Sequence, residues 1–158
     1  LEDIFIAGND LLKSAGFVQY EVSAYSLPSE ESRHNLNYWQ FGDYLGIGAG
    51  AHGKISRANQ VIRTTKNRMP TEYLQYPKGK SKIVDSNELK LEFLLNTLRL
   101  TNGFDLSLFE ETTGLSPSLL DSFLEQAIPK GFLVQSINQI IPTEKGRLFL
   151  NDLLMLVD

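Results

Sequence analysis

Between Asp85 and Leu154 the start and stop signals of secondary structure follow one another so closely that they leave little freedom of layout. Asp85-Ser86-Asn87-Glu88 is a capping-box pattern ahead of a helix whose Leu91, Leu94, Leu95 and Leu98 form a broad apolar face. Asp105 caps a short helix that ends near Gly114. Ser116 followed by Pro117 starts a third, Pro117–Ile128, with Leu120, Phe123, Leu124, Ala127 and Ile128 turned inward. Phe132–Gln135 and Gln139–Ile141 flank a turn and read as a hairpin, and Thr143 caps a closing helix through Leu154. Three helices, a hairpin and another helix predict an α+β, winged-helix-like C-terminal domain over residues 85–158.

The first third has a different grammar. Leu1, Phe5, Gly8, Leu12 and Ala15 recur at helical spacing, with Gly16 as the stop. Phe17–Ala24 then reads as a strand, with Val18, Tyr20, Val22 and Ala24 on one face and Gln19, Glu21 and Ser23 on the other. A helix leading straight into a strand is the repeating unit of an α/β layer. A second short strand is expected over Tyr44–Ala49. One or two strands do not make a stable sheet alone, so residues 1–53 read as an α/β fragment. Leu1 at the start, with helical patterning at once, fits a piece of something longer. Residues 54–84 show weak periodicity, high charge, Pro70 and Pro77, and are expected to be a connector with a short helical turn around residues 71–75.

Charge narrows the partners. The net charge of −4 is segregated: −5 over residues 1–53, +7 over 54–82 and −6 over 83–158. The basic stripe suits an anionic ligand, or is a solvated linker. Nucleic acid is disfavoured, because the third helix, in the usual recognition position, carries Asp121 and Glu125 and no basic residue. The wing turn Ser136-Ile137-Asn138 is uncharged, so docking on another domain or partner fits this module better. The chain has no cysteine, which excludes a disulfide framework, a thiolate zinc site and a cysteine-held iron–sulfur cluster within it. No apolar run approaches the ~18 residues of a membrane span, and Leu1-Glu2-Asp3-Ile4 is unlike the start of a signal peptide.

Chemistry concentrates in Arg33–Gly53, 21 residues that hold both histidines, the only tryptophan and five of the twelve glycines. Imidazole supplies ligand atoms, aromatic rings stack, and glycines permit close approach, a set suited to a flat or metal-bearing ligand. Tyr38 and Trp39 beside His34 favour it over His52 as a ligand, although either imidazole also serves as an acid–base or hydrogen-bonded structural group. Gly46-x-Gly48-x-x-Ala51 formally matches a dinucleotide fingerprint, yet His52-Gly53-Lys54-Ile55-Ser56-Arg57 is not the apolar helix such a loop should open. A glycine-rich strand bordering a cofactor, or a tight bend with packed glycines, explains the run better. Glu21 is the one carboxylate expected on an inward strand face.

Three stretches resemble the oxygen-independent coproporphyrinogen III oxidase-like radical SAM family: Tyr20-Glu21-Val22-Ser23, His34-Asn35-x-x-Tyr38-Trp39, and Asp43-Tyr44-Leu45-Gly46-Ile47-Gly48-Ala49-Gly50-Ala51-His52. The Glu88–Leu100 helix and the tail resemble the family's C-terminal domain, so the likeness spans nearly the whole chain. The H-N-x-x-Y-W motif resembles the HemW-type haem-chaperone branch. The resemblance implies that residues 1–53 end a partial β/α barrel, in a cytoplasmic protein whose full-length form binds S-adenosylmethionine and a [4Fe–4S] cluster through cysteines this chain lacks. Many relatives place a cysteine where Ser32 stands. On this resemblance haem or a porphyrin is the ligand, His34 is the iron ligand, Asn35, Tyr38, Trp39 and His52 complete the haem site, and Glu21, Gly46, Gly48 and Gly50 border the cofactor cavity. Arg57, Arg63 and Lys66 are expected to meet haem propionates. The implied partners are the missing N-terminal barrel half and a haem-acceptor protein, with peripheral membrane contact, and no nucleic acid. The chain alone is expected to perform no radical chemistry. Two alternatives stay open: a parent that oxidises coproporphyrinogen III, and a non-catalytic interaction module.

Overall fold

In a computed structural model of the chain, residues 2–57 and 60–157 are described, the side chains of residues 2, 3 and 5 excepted. Leu1 and the Phe5 side chain, assigned above to an apolar stripe, lie outside the described residues. Helix α1 (Glu2–Ser14) leaves Ile4, Ile6 and Leu11 exposed. Gly16 follows it in the left-handed region, as its stop role requires.

The strand expected over Phe17–Ala24 is instead a hairpin, β1 (Val18–Glu21) against β2 (Ala24–Ser26), with a bulge between Gln19 and Glu21. Glu21 makes the turn. Its carboxylate accepts from the Ser23 backbone N–H at 3.0 Å and the Ser23 hydroxyl at 2.8 Å, which folds the chain back before the run of alternation ends. Helix α2 (Arg33–Trp39) follows, capped by Ser32.

The second correction is larger. Residues 54–84 are no loose connector: β3 (His52–Arg57), β4 (Gln60–Thr65) and β5 (Lys80–Ile83) form an antiparallel sheet in the order β3-β4-β5. Helix α3 (Pro70–Gln75) sits between β4 and β5, where the short helical turn was expected. The anticipated strand over Tyr44–Ala49 is not formed; only Tyr44 bridges, to Lys54. Gly48, at φ +104°, turns the backbone where no strand can continue.

Beyond the sheet the capping signals hold. Helix α4 (Ser86–Thr97) starts at Asp85, whose carboxylate accepts from the Asn87 and Glu88 N–H groups at 3.0 Å. Strand β6 (Phe104–Asp105) and helix α5 (Leu106–Thr113) come next, and Asp105 caps α5. The third helix opens as a 3-10 turn, Pro117–Leu120, before α6 (Asp121–Ala127). Strands β7 (Leu133–Ser136) and β8 (Gln139–Pro142) form the expected hairpin, and β6 adds to its edge in the order β6-β8-β7. The closing helix is broken at Phe149 into α7 (Glu144–Leu148), capped by Thr143, and α8 (Leu150–Leu154). The break lets α8 sink Leu153 into the core.

That core centres on Phe93 of α4, which meets Phe41, Phe104 and Phe109 edge to face at 5.0–5.6 Å. Each buried ring contributes about 1.5–3 kcal/mol. Phe41 comes from the end of α2, so the segment expected to bear the function is anchored in the core of the C-terminal half. Among the described residues no helix is long and apolar enough to cross a membrane.

Candidate functional site

Helix α2 sorts its motif onto two faces by i, i+4 spacing. On the outer face the exposed His34 lies edge-on to Tyr38, ring centroids 4.8 Å apart. Tyr38 in turn meets Tyr44, which lies beyond the helix, with ring centroids 4.4 Å apart and planes tilted by 49°. The Tyr44 hydroxyl accepts from Arg63 Nη1 at 2.9 Å, and Arg63 is held by Glu92 of α4 through Nε at 2.9 Å and through Nη2. An imidazole and two phenol rings thus form a ladder with a cation at its foot. The His34 nitrogens have no hydrogen-bond partner among the described residues, which leaves a lone pair available to a metal.

On the inner face Asn35 donates to the Tyr20 hydroxyl at 3.0 Å, tying α2 to β1. Trp39 lies under the Arg99 guanidinium, 4.3 Å from ring centroid to Cζ. Arg99 also grips Glu21 through Nη2 at 3.1 Å. Glu21, only 3% exposed, is therefore committed to Arg99 and Ser23. The Trp39 Nε1 and Arg99 Nε atoms are buried with no partner among the described residues. Beneath this side of the helix a cavity of about 190 Å³ is lined by Tyr20, Leu36, Gln40 and Leu100.

The far end of α2 is fixed by one buried lysine. Lys54 of β3 is 1% exposed, lies 4.2 Å from the Phe41 ring centroid and donates to the Phe41 carbonyl at 2.8 Å, Asp43 Oδ1 at 3.0 Å and Ser56 Oγ at 3.0 Å. Phe41 adopts φ +56°, a strained conformation for a bulky residue that persists only where its surroundings over-determine it. Burial pushes the Lys54 ammonium below its ordinary pKa, against the opposing pull of Asp43. Burial pushes Asp43 up, but the Ser56 N–H, Lys54 and the Ser56 hydroxyl together outweigh it and hold the carboxyl below its ordinary value.

Of the expected site residues, the structure brings His34 and Tyr38 together and turns Asn35 and Trp39 to the adjoining, inward face. His52 is exposed on β3 opposite Thr65, and among the described residues it makes no ring contact with His34 or Tyr38. Gly46 packs so closely on the His52 backbone that a Cβ would strike its carbonyl. Gly48 N–H donates to the Tyr73 hydroxyl and Gly50 N–H to the Asn67 carbonyl, so the glycine run is a bend packed on α3 and the end of β4. Within the basic stripe, Arg63 is spent on Glu92 and Tyr44, Lys66 bonds the Lys78 carbonyl, and Arg57 is exposed. Sequence reasoning missed Tyr44, Lys54 and Arg99; the Asp43–Lys54 pairing carries no local signal, and Arg99 lies far along the chain.

The domain built on α4 and the β6-β8-β7 sheet carries the likeness to a known family. Residues 84–149 match the HemN C-terminal domain. The chain is similar to the C-terminal part of HemW-type radical SAM proteins. It is 42% identical over 99% of its length to the haem chaperone HemW of Escherichia coli, and 41% identical over 99% to that of Haemophilus influenzae. It spans only 42% and 41% of the length of those relatives. The structure titled "Coproporphyrinogen III oxidase (HemN) from Escherichia coli is a Radical SAM enzyme" matches 99% of the chain and 40% of its own, with a TM-score of 0.65 at 15% identity. That likeness shows the shared fold, an assembly of helices and small sheets that includes the HemN C-terminal domain.

Proposed function

We propose that this chain is the C-terminal part of a haem chaperone, which binds haem on the outer face of α2 and passes it to an acceptor protein. The carrying observation is the His34–Tyr38–Tyr44 ladder: an exposed imidazole with free nitrogens beside two phenol rings in contact, closed by Arg63. His34 is the proposed iron ligand, and Tyr38 and Tyr44 offer edges and faces to a porphyrin. Asn35 and Trp39 support the site from behind by seating the helix, while His52 is a second proposed ligand reached from β3. Glu21, Gly46, Gly48 and Gly50 shape the surrounding backbone. Of Arg57, Arg63 and Lys66, the exposed Arg57 is the one left open to a propionate.

The similarity to HemW supports S-adenosylmethionine and a [4Fe–4S] cluster as cofactors of the full-length protein. The residues of this chain do not fit the cluster, for no cysteine is present to supply a thiolate. We assign residues 1–53 to the end of a partial β/α barrel, 54–84 to a basic segment and 85–158 to a winged-helix-like domain. The exposed Ile4, Ile6 and Leu11 of α1 suit packing against the remainder of the barrel. A cytoplasmic location with peripheral membrane contact completes the proposal.

The test is a haem titration of this chain and of His34→Ala, read in the Soret region. Saturable binding that weakens in the variant supports the assignment. Equal binding by both removes His34 from the site.

A further inference from the structure

From Leu100 through Pro129 the chain contains no lysine, arginine or histidine and five carboxylates: Asp105, Glu110, Glu111, Asp121 and Glu125. This stretch builds β6, α5, the 3-10 turn and α6, and a groove of about 550 Å³ opens on it. Leu106, Leu124, Ile128 and the two prolines Pro117 and Pro129 give the groove an apolar lining. Asp121 and Glu125 line it as well, one helical turn apart and both exposed. Among the described residues neither takes part in a salt bridge. Two like charges at i, i+4 repel each other, and a cation placed between them relieves that cost.

We propose that this groove docks a basic segment of a partner protein, which inserts an apolar side chain against Leu124 and Ile128 and sets lysine or arginine against Asp121 and Glu125. Apolar lining with charge at its rim is the arrangement by which a groove receives an amphipathic peptide. The carboxylates choose the sign of the partner and repel a nucleic-acid backbone. The chain itself carries an exposed basic surface at Arg68, Lys78 and Lys80, so a second copy is the competing occupant.

The experiment uses the whole chain, isotope-labelled, and a synthetic amphipathic peptide of about a dozen residues with leucine anchors flanked by arginine. Its twin carries glutamate in place of arginine. Docking gives saturable amide shifts confined to the surroundings of Leu106, Ser118, Leu124, Ile128 and Gln135. Replacing both carboxylates by lysine, Asp121→Lys with Glu125→Lys, weakens the basic peptide about tenfold or more and transfers binding to the acidic twin. The size-conserving pair Asp121→Asn with Glu125→Gln weakens it about five- to tenfold. Absent or scattered shifts, or affinity indifferent to both variants, overturn the proposal. So does concentration-dependent self-association that shifts the same groove residues without peptide, which assigns the groove to a second copy.

Discussion

Replacing Lys54 by methionine isolates what the buried ammonium does at the end of α2. Methionine keeps an unbranched stem against Phe41 and deletes the charge. Three acceptors lose their donor: the Phe41 carbonyl, Asp43 Oδ1 and Ser56 Oγ. Phe41 is 2% exposed, so its carbonyl loses a partner without gaining water, a cost of about 1–3 kcal/mol. The Asp43 side chain is 44% exposed and keeps the Ser56 N–H at 2.7 Å and hydroxyl at 2.9 Å. Its stranding therefore costs well under the ~3–5 kcal/mol of a fully buried ion left alone. Against these losses stands the relief of no longer dehydrating a cation. The expected net is a destabilisation of about 2 kcal/mol, or a fall in Tm of about 4–8 °C for a chain of this size. Urea unfolding followed by fluorescence is well suited, because Trp39 is the only tryptophan and sits on the same helix. A variant as stable as the parent, or more so, would refute the reasoning: the network would then return no more than its desolvation cost, and the strained Phe41 would be held by packing alone.

Acid should loosen the Asp43 corner and the start of α4. The Asp43 and Asp85 carboxyls both titrate below their ordinary value in the folded chain, so the unfolded chain binds protons first, and stability present above about pH 4 is lost as the pH falls further. Asp43→Asn and Asp85→Asn should each flatten that acid limb in unfolding curves, and an unchanged slope in both would contradict the assignment. Arg99→Met strands Glu21 with Ser23 as its remaining partner and uncovers Trp39; a loss of about 2–4 kcal/mol with a shift in tryptophan emission is expected. Unaltered stability and emission would mean that the β1–β2 hairpin is held by other contacts.

Local chemistry was legible and long-range pairing was not. Asp85, Asp105, Ser116 and Thr143 each announced a helix start, because a capping side chain acts within three residues of itself. The β3-β4-β5 sheet escaped detection because Lys54, Ser56 and Arg63 share its inward face with the buried Val61, which breaks the usual apolar alternation. Those inward polar groups are satisfied by Asp43 and Glu92, partners that no local pattern announces. At the site, the pairing of His34 with Tyr38 follows from helical spacing. The inward turn of Trp39 does not, since it depends on a guanidinium sixty residues away in the chain.

The sheet between the two halves has a mechanical consequence. The Val84 N–H donates to the Val61 carbonyl, Arg63 is clamped by Glu92, and Lys82 by Glu88, so β4 and β5 are fastened to the start of α4 along its first turns. Lys54 fastens α2 to the same sheet from the other side. Among the described residues these contacts tie both halves to the one sheet. Torque arriving at the C-terminal domain is handed on to the imidazole-bearing helix as through meshed gears, and a loosened tooth at Lys54 or Arg63 would turn the gear train into a free hinge.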